Sequence, residues 1–200
     1  MNQQKIDWKH LGKMSGEVIK KKIPELLSRM SIRQKANQMA GDMPIYRGGI
    51  QDLIRYNSKP IVAGKDDSLG IPGIRFSDGP RGVVMGTSTC FPVSMARGAT
   101  WDLELERRVG DVIGIEARAQ GANFFGGVCI NLLRHPSWGR AQETYGEDPH
   151  HLGEMGVALM KGVQKHGVMA CAKHFACNSM ENARFKVNVK IDERTLREVD

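Results

Sequence analysis

From residue 73 onward, short apolar strands alternate with glycine-terminated helices, and this constrains the fold more than any other feature of the chain. Gly73-Ile74-Arg75-Phe76-Ser77 reads as a strand that breaks at the turn-rich Asp78-Gly79-Pro80-Arg81-Gly82. Asp102 opens a helix of about 18 residues, with Leu105, Val109, Val112, Ile113 and Ala117 on one face and Gly121 at its end. A second strand, Val128-Cys129-Ile130-Asn131-Leu132-Leu133, runs into the loop Arg134-His135-Pro136-Ser137-Trp138-Gly139-Arg140. Asp148 as N-cap and Pro149 in the first helical position start another helix. Leu152, Met155, Leu159 and Val163 form its stripe, and Gly167 closes it. The strand that follows ends in CAKHFAC, residues 171–177. Strands that alternate with helices predict a parallel α/β sheet. In such sheets the active site gathers at the carboxyl ends of the strands.

Upstream, residues 1–24 are polar and basic and read as an N-terminal arm, with a domain over 25–200. Ser31 and Gln34 have the spacing of a capping box. Ile32, Ala36 and Met39 follow as a helical stripe that Gly41 stops, and residues 41–72 read as a long loop region. Near the end of the chain, Asp192 is placed to cap a further helix.

Composition narrows the function classes. Of the 200 residues, 40% are hydrophobic and 26% charged, as in an ordinary globular domain. No apolar run approaches the roughly 18 residues of a membrane span, and the start MNQQKIDWKH lacks the apolar core of a signal peptide, so a cytoplasmic location is expected. The net charge of +7 is dispersed apart from Lys20-Lys21-Lys22, and aromatics are only 6%. Nucleic-acid binding, which wants a basic stripe with stacking platforms, is therefore not expected. Cys90, Cys129, Cys171 and Cys177 have no zinc spacing, and the first three lie in apolar runs, so buried free thiols and no metal are expected. His150 and His151 read as a solvated cap, His166 as a partner of a helix C-terminus, and Met155, Met160, Met169 and Met180 as core. Trp138 and Trp101 read mainly as packing residues.

A buried parallel strand should be apolar throughout, yet this one finishes in Lys173-His174. If the three strands are parallel, Asp78, then Arg134 and Arg140, then Lys173 and His174, can meet at one mouth. One carboxylate with several donors suits a neutral polyol, because a carboxylate accepts from two hydroxyls. A structural ion-pair network, Asp78 or Glu143 with Arg140 and Lys173, fits the spacing equally well. A Schiff-base aldolase using Lys173 is a third reading.

The stretches Phe76-Ser77-Asp78-Gly79-Pro80-Arg81-Gly82, Ala99-Thr100-Trp101-Asp102, Gly139-Arg140-Ala141-Gln142-Glu143-Thr144-Tyr145-Gly146-Glu147-Asp148-Pro149 and Lys173-His174-Phe175 resemble glycoside hydrolase family 3. So does Asp192-Glu193-Arg194-Thr195-Leu196-Arg197-Glu198, and the order matches the N-terminal part of that family's β-glucosidases. The resemblance implies a TIM-like (β/α) barrel, here partial and ending before the later strands, with the rest of the barrel and a second domain to follow. It implies retaining hydrolysis of β-glucosides or related oligosaccharides at the non-reducing end, through a covalent glycosyl-aspartate and without a cofactor. Asp78, Arg140, Lys173 and His174 match the residues that hold the sugar, and Arg184 matches an arginine near the nucleophile. Arg81 falls in a loop that carries a sugar-contacting arginine in many members, at a different spacing.

Two departures follow from the resemblance. Phe175-Ala176-Cys177-Asn178 stands where the β-hexosaminidase branch has its proline-glycine-histidine motif, so the glucosidase and xylosidase branch is the match. The nucleophile and the acid/base are expected beyond Asp200, which makes this chain by itself an inactive sugar-binding part. A non-catalytic or vestigial sugar-binding fragment is the alternative. Lys173 beside His174 should disfavour imidazolium and leave the histidine a neutral donor.

Overall fold

A computed structural model describes residues 15–41 and 58–200. The N-terminal stretch before residue 15 and most of the first half of the expected loop lie outside the described residues. The chain forms two compact units, one from residues 1–56 and 61–75, the other from 57–60 and 76–200.

The first unit holds α1 (Gly16–Arg29), α2 (Ile32–Asn37) and β1 (Ile61–Ala63), with the opening residues of β2 (Ile74–Ser77). α1 covers part of the stretch read as an arm. Val18, Ile19, Ile23 and Leu27 recur at helical spacing there but are all exposed, and the lysine run between them hid the pattern. The capping box at α2 is complete: Gln34 N donates to Ser31 Oγ at 3.2 Å, and Ser31 N donates to Gln34 Oε1 at 3.0 Å. The expected stripe is not buried, with Ile32 87% and Met39 86% exposed, and the helix ends at Asn37. Asp66 accepts from Gln34 Nε2 and from the backbone of Ser68 and Leu69, which ties α2 to the turn around the buried Leu69.

In the second unit β2 ends and pairs in parallel with β3 (Phe124–Cys129), and β3 pairs in parallel with β4 (Met169–Lys173). Between them run α3 (Ser94–Gly98), α4 (Leu103–Ala119) and α5 (Pro149–Gln164), and α6 (Glu193–Glu198) follows β4. The caps are as expected. Asp102 accepts from Leu105 N, Asp148 from His151 N and Asp192 from Thr195 N, each satisfying an amide that a helix start leaves unpaired. Val109, Ile113, Ala117, Leu159 and Val163 pack with Phe125, Val128 and Val168 in the main core. Leu132, Tyr145, Leu152 and Met155 make a smaller cluster. α4 and α5 approach closely at Gly110 and Gly162, where an added Cβ would lie 2.3 Å from a carbonyl oxygen of the facing helix.

The second strand begins four residues before its expected start and ends at Cys129, not Leu133. Gly126 and Gly127, which precede the expected strand, are inside it. Their missing side chains are filled by rings, since a Cβ on Gly126 would lie 2.4 Å from Phe76 and one on Gly127 2.2 Å from Phe125. The register shifts between Phe125 and Val128, so the glycine pair forms a bulge that bends the strand. β4 is half exposed, with Met169 44% accessible, because it stands at the end of the β2-β3-β4 order instead of in the interior. Met155 is core, whereas Met169 and Met180 are exposed.

Other expectations change as well. Among the four free thiols only Cys129 is buried; Cys90 is exposed, and Cys171 and Cys177 are intermediate. His151 is not solvated: it is buried, its Nε2–H donates to Gly98 O at 3.0 Å, and the exposed Trp101 ring lies 4.1 Å from it. His166 pairs with Asp111 of α4. Among the described residues no helix is long and apolar enough to cross a membrane.

Candidate active site

Because β2, β3 and β4 are parallel, the segments leaving their carboxyl ends emerge together. Asp78 follows β2, Arg140 lies in the segment after β3, Lys173 closes β4, and His174 and Arg184 lie beyond it. All five line one cavity of about 580 Å³, which Phe185, Met180, Val187 and Val189 also line. Lys173 Nζ is 2.7 Å from Asp78 Oδ1, across 95 positions of sequence. Arg134 is not in this set; it pairs with Asp200 and lines a neighbouring cavity of about 520 Å³. Arg81 does not line the site either, and its Nε–H points to Phe91 O at 3.4 Å.

Asp78 is presented by a tight loop. Its Oδ1 also accepts from Gly79 N at 2.9 Å, and Gly79 has φ +133, where a Cβ would fall 1.7 Å from Gly82 O. Only glycine fits that turn. The Asp78 side chain is 42% exposed, whereas that of Lys173 is 15% exposed, so the carboxylate is the accessible member of the pair. Arg140 makes a two-pronged contact with Glu143, Nε to Oε1 at 2.8 Å and an Nη to Oε2 at 2.6 Å. That contact raises the guanidinium's pKa further. Each of these basic groups has its own carboxylate, Lys173 with Asp78 and Arg140 with Glu143, and Asp78, Arg140 and Lys173 line the same cavity.

Glu181 organises the third segment. It accepts from Arg184 at 3.0 Å and from the Trp138 indole N–H at 3.3 Å, which joins the loop before Arg140 to the one that carries Arg184. Trp138 is buried and packs, as expected, while the Arg184 guanidinium lies 4.7 Å over the Phe185 ring. The sequence offers Glu143 as a partner for the cations, whereas it does not single out Glu181 or Asn131. An asparagine inside the apolar run Val128–Leu133 was the one available signal for Asn131.

His174 is held neutral. Burial, followed by the charges of Arg140 and Lys173, lowers its pKa to about 4. Its Nδ1 is 2.7 Å from Asn131 Oδ1, so the ring nitrogen left for a ligand is Nε2. Lys173 is engaged with Asp78, and a Schiff base would need that amine free. Among the described residues no cluster of three His, Cys, Asp or Glu side chains is placed to hold a metal ion.

The family model for the glycosyl hydrolase family 3 N-terminal domain matches residues 47–200. The chain belongs to glycoside hydrolase family 3. Its relatives in that family include the thermostable β-glucosidase B of Acetivibrio thermocellus, 34% identical over 190 residues, covering 88% of this chain and 23% of the relative. The probable β-glucosidase I of Emericella nidulans is 44% identical over 138 residues, covering 66% of this chain and 16% of the relative. Among solved structures, DesR, a β-glucosidase from Streptomyces venezuelae in complex with D-glucose, superposes with TM-score 0.76 at 34% identity, over 88% of this chain and 22% of that one. β-Glucosidase 3B from Thermotoga neapolitana superposes with TM-score 0.71 at 31% identity, over 80% of this chain and 24% of that one. The chain thus spans less than a quarter of the length of these β-glucosidases, and its α/β, TIM-like fold matches that part of them.

Proposed function

We propose that this chain supplies the sugar-binding part of a retaining β-glucosidase site that acts on the non-reducing end of β-glucosides. The observation that carries this is the meeting of Asp78, Arg140, Lys173, His174 and Arg184 around one cavity large enough for a hexose. The membership in family 3 and the β-glucosidase relatives support it.

In this reading Asp78 accepts hydrogen bonds from two adjacent sugar hydroxyls. Lys173 holds that carboxylate in place and donates a second N–H to the sugar. Arg140, braced by Glu143, donates to a further hydroxyl, and Arg184, braced by Glu181, borders the reacting end. As the ring flattens toward an oxocarbenium ion its hydroxyls become more acidic, and contacts that tighten at that moment lower the barrier. Retaining chemistry needs two carboxyl groups roughly 5–5.5 Å apart. Asp78 is committed to Lys173 and Glu143 to Arg140, so nucleophile and acid/base come from outside these residues.

The test is the full-length protein assayed on a panel of nitrophenyl glycosides beside its Asp78→Asn variant. Two charged hydrogen bonds at about 1.5–3 kcal/mol each predict a loss of about 10²–10⁴ in kcat/KM on the aryl β-glucoside. Full turnover by the variant would remove Asp78 from the site, and no turnover of any β-glycoside by the parent would refute the activity.

A further inference from the structure

The side chain of Asn131 is buried just past β3, and two backbone groups orient its amide. Oδ1 accepts the His174 backbone N–H at 3.0 Å, and Nδ2 donates to the Asn178 carbonyl at 3.2 Å. Turning the amide over would set donor against donor and acceptor against acceptor, so its orientation is determined. Oδ1, which can only accept, therefore faces His174 Nδ1 at 2.7 Å, and Nδ1 must carry the proton. A neutral imidazole has one N–H, which leaves the lone pair on Nε2. Among the described residues Nε2 makes no hydrogen bond, and His174 lines the cavity.

We infer that Asn131 is a positioning residue that locks His174 in the Nδ1–H tautomer, so that this histidine accepts a hydrogen bond from a ligand hydroxyl instead of donating one. This reverses the donor role that sequence reasoning assigns to His174. The ligand half of the inference rests on the sugar-binding reading above; the tautomer does not. The same asparagine joins the turn after β4 to Asn178, which also lines the cavity. The ring is thus set in place by the segment that shapes the pocket around it.

Long-range proton–nitrogen NMR on the chain with labelled histidines reads the tautomer directly, with the His174 signal identified by its loss in His174→Gln. At neutral pH the expected spectrum has a protonated Nδ1 and a lone-pair-bearing Nε2. Asn131→Leu should release the ring to the Nε2–H form, and Asn131→Asp, which keeps the acceptor, should retain a protonated Nδ1. A wild-type Nε2–H tautomer would overturn the inference, and so would a leucine variant that keeps the Nδ1–H form. If the leucine variant does not fold, an aspartate variant with Nδ1 unprotonated overturns it equally. Adding D-glucose should shift the Nε2 resonance toward that of a hydrogen-bonded acceptor; binding that leaves Nε2 unmoved would refute the acceptor role. Absence of any glucose binding would count against the sugar-binding reading and the hydroxyl donated to Nε2, while the ring's tautomer would still decide the part played by Asn131.

Discussion

Replacing Glu106 should destabilise the chain by about 3–5 kcal/mol, the usual effect of removing one partner from a buried ion pair. Arg97 and Glu106 are 3% and 0% exposed, with Arg97 Nε donating to Glu106 Oε2 at 2.9 Å. Oε1 accepts from the Tyr145 hydroxyl at 2.6 Å. The Arg97 guanidinium also donates to Pro92 O at 2.8 Å and Pro80 O at 3.0 Å. Glu106→Gln keeps the shape but leaves a buried guanidinium charge that its neutral partners, Pro92 O, Pro80 O and the Ser94 hydroxyl, cannot neutralise. Arg97→Met with Glu106→Leu removes both charges, so the double variant should lose less than the sum of the two single losses. A coupling of about 2 kcal/mol or more is expected, since contacting charged residues typically couple by 0.5–3 kcal/mol. Urea unfolding of wild type, Arg97→Met, Glu106→Leu and the double variant, followed by circular dichroism, measures the coupling, and Glu106→Gln beside them measures the single loss. Because Pro80 lies in the Asp78 loop and Tyr145 in the segment after Arg140, the network also anchors two sides of the cavity. Additive effects, or a loss under about 1 kcal/mol for Glu106→Gln, would refute the claim that compensated burial of charge holds these loops.

Two further predictions follow from the same structure. Gly127→Ala should cost about 1–3 kcal/mol, the typical penalty of overpacking, because the new methyl would meet the Phe125 ring at 2.2 Å and Gly79 O at 2.5 Å; thermal unfolding within error of wild type would show that the strand relaxes freely. His174 makes the fold acid-sensitive: its folded pKa of about 4 lies below the unfolded 6.5, so the unfolded chain binds the extra proton first, and stability is lost as pH falls from 6.5 through 4. Solvent screening of a partly exposed ring keeps this contribution to at most about 3 kcal/mol. Urea midpoints across that range should fall less steeply in His174→Gln, and parallel slopes would sink the assignment.

What could be read in the sequence depended on range. Asp102, Asp148, Asp192 and the Ser31–Gln34 box cap the helices they were expected to cap, because a cap is a contact within three residues. The stripe Leu152, Met155, Leu159, Val163 is buried as its period required, since one helix face must meet the sheet. The strand at Gly126-Gly127 was not legible, because what makes glycine necessary there is the Phe76 and Phe125 rings, not the glycines' neighbours in sequence. The α2 stripe failed for the complementary reason: periodicity states which residues could be buried, not that a partner surface arrives.

The sequence alone determined the alternation of strands and helices, the caps, the family and, Arg134 aside, the residues expected to gather at the strand ends, since each is written in local spacing or in motif order. Tertiary structure alone decided that Asp78 is the carboxylate that serves Lys173, that His151 is buried, and that Asn131 meets the imidazole of His174. Those facts depend on contacts between groups tens of residues apart, and the parallel stacking of β2, β3 and β4 is what brings them within hydrogen-bonding distance.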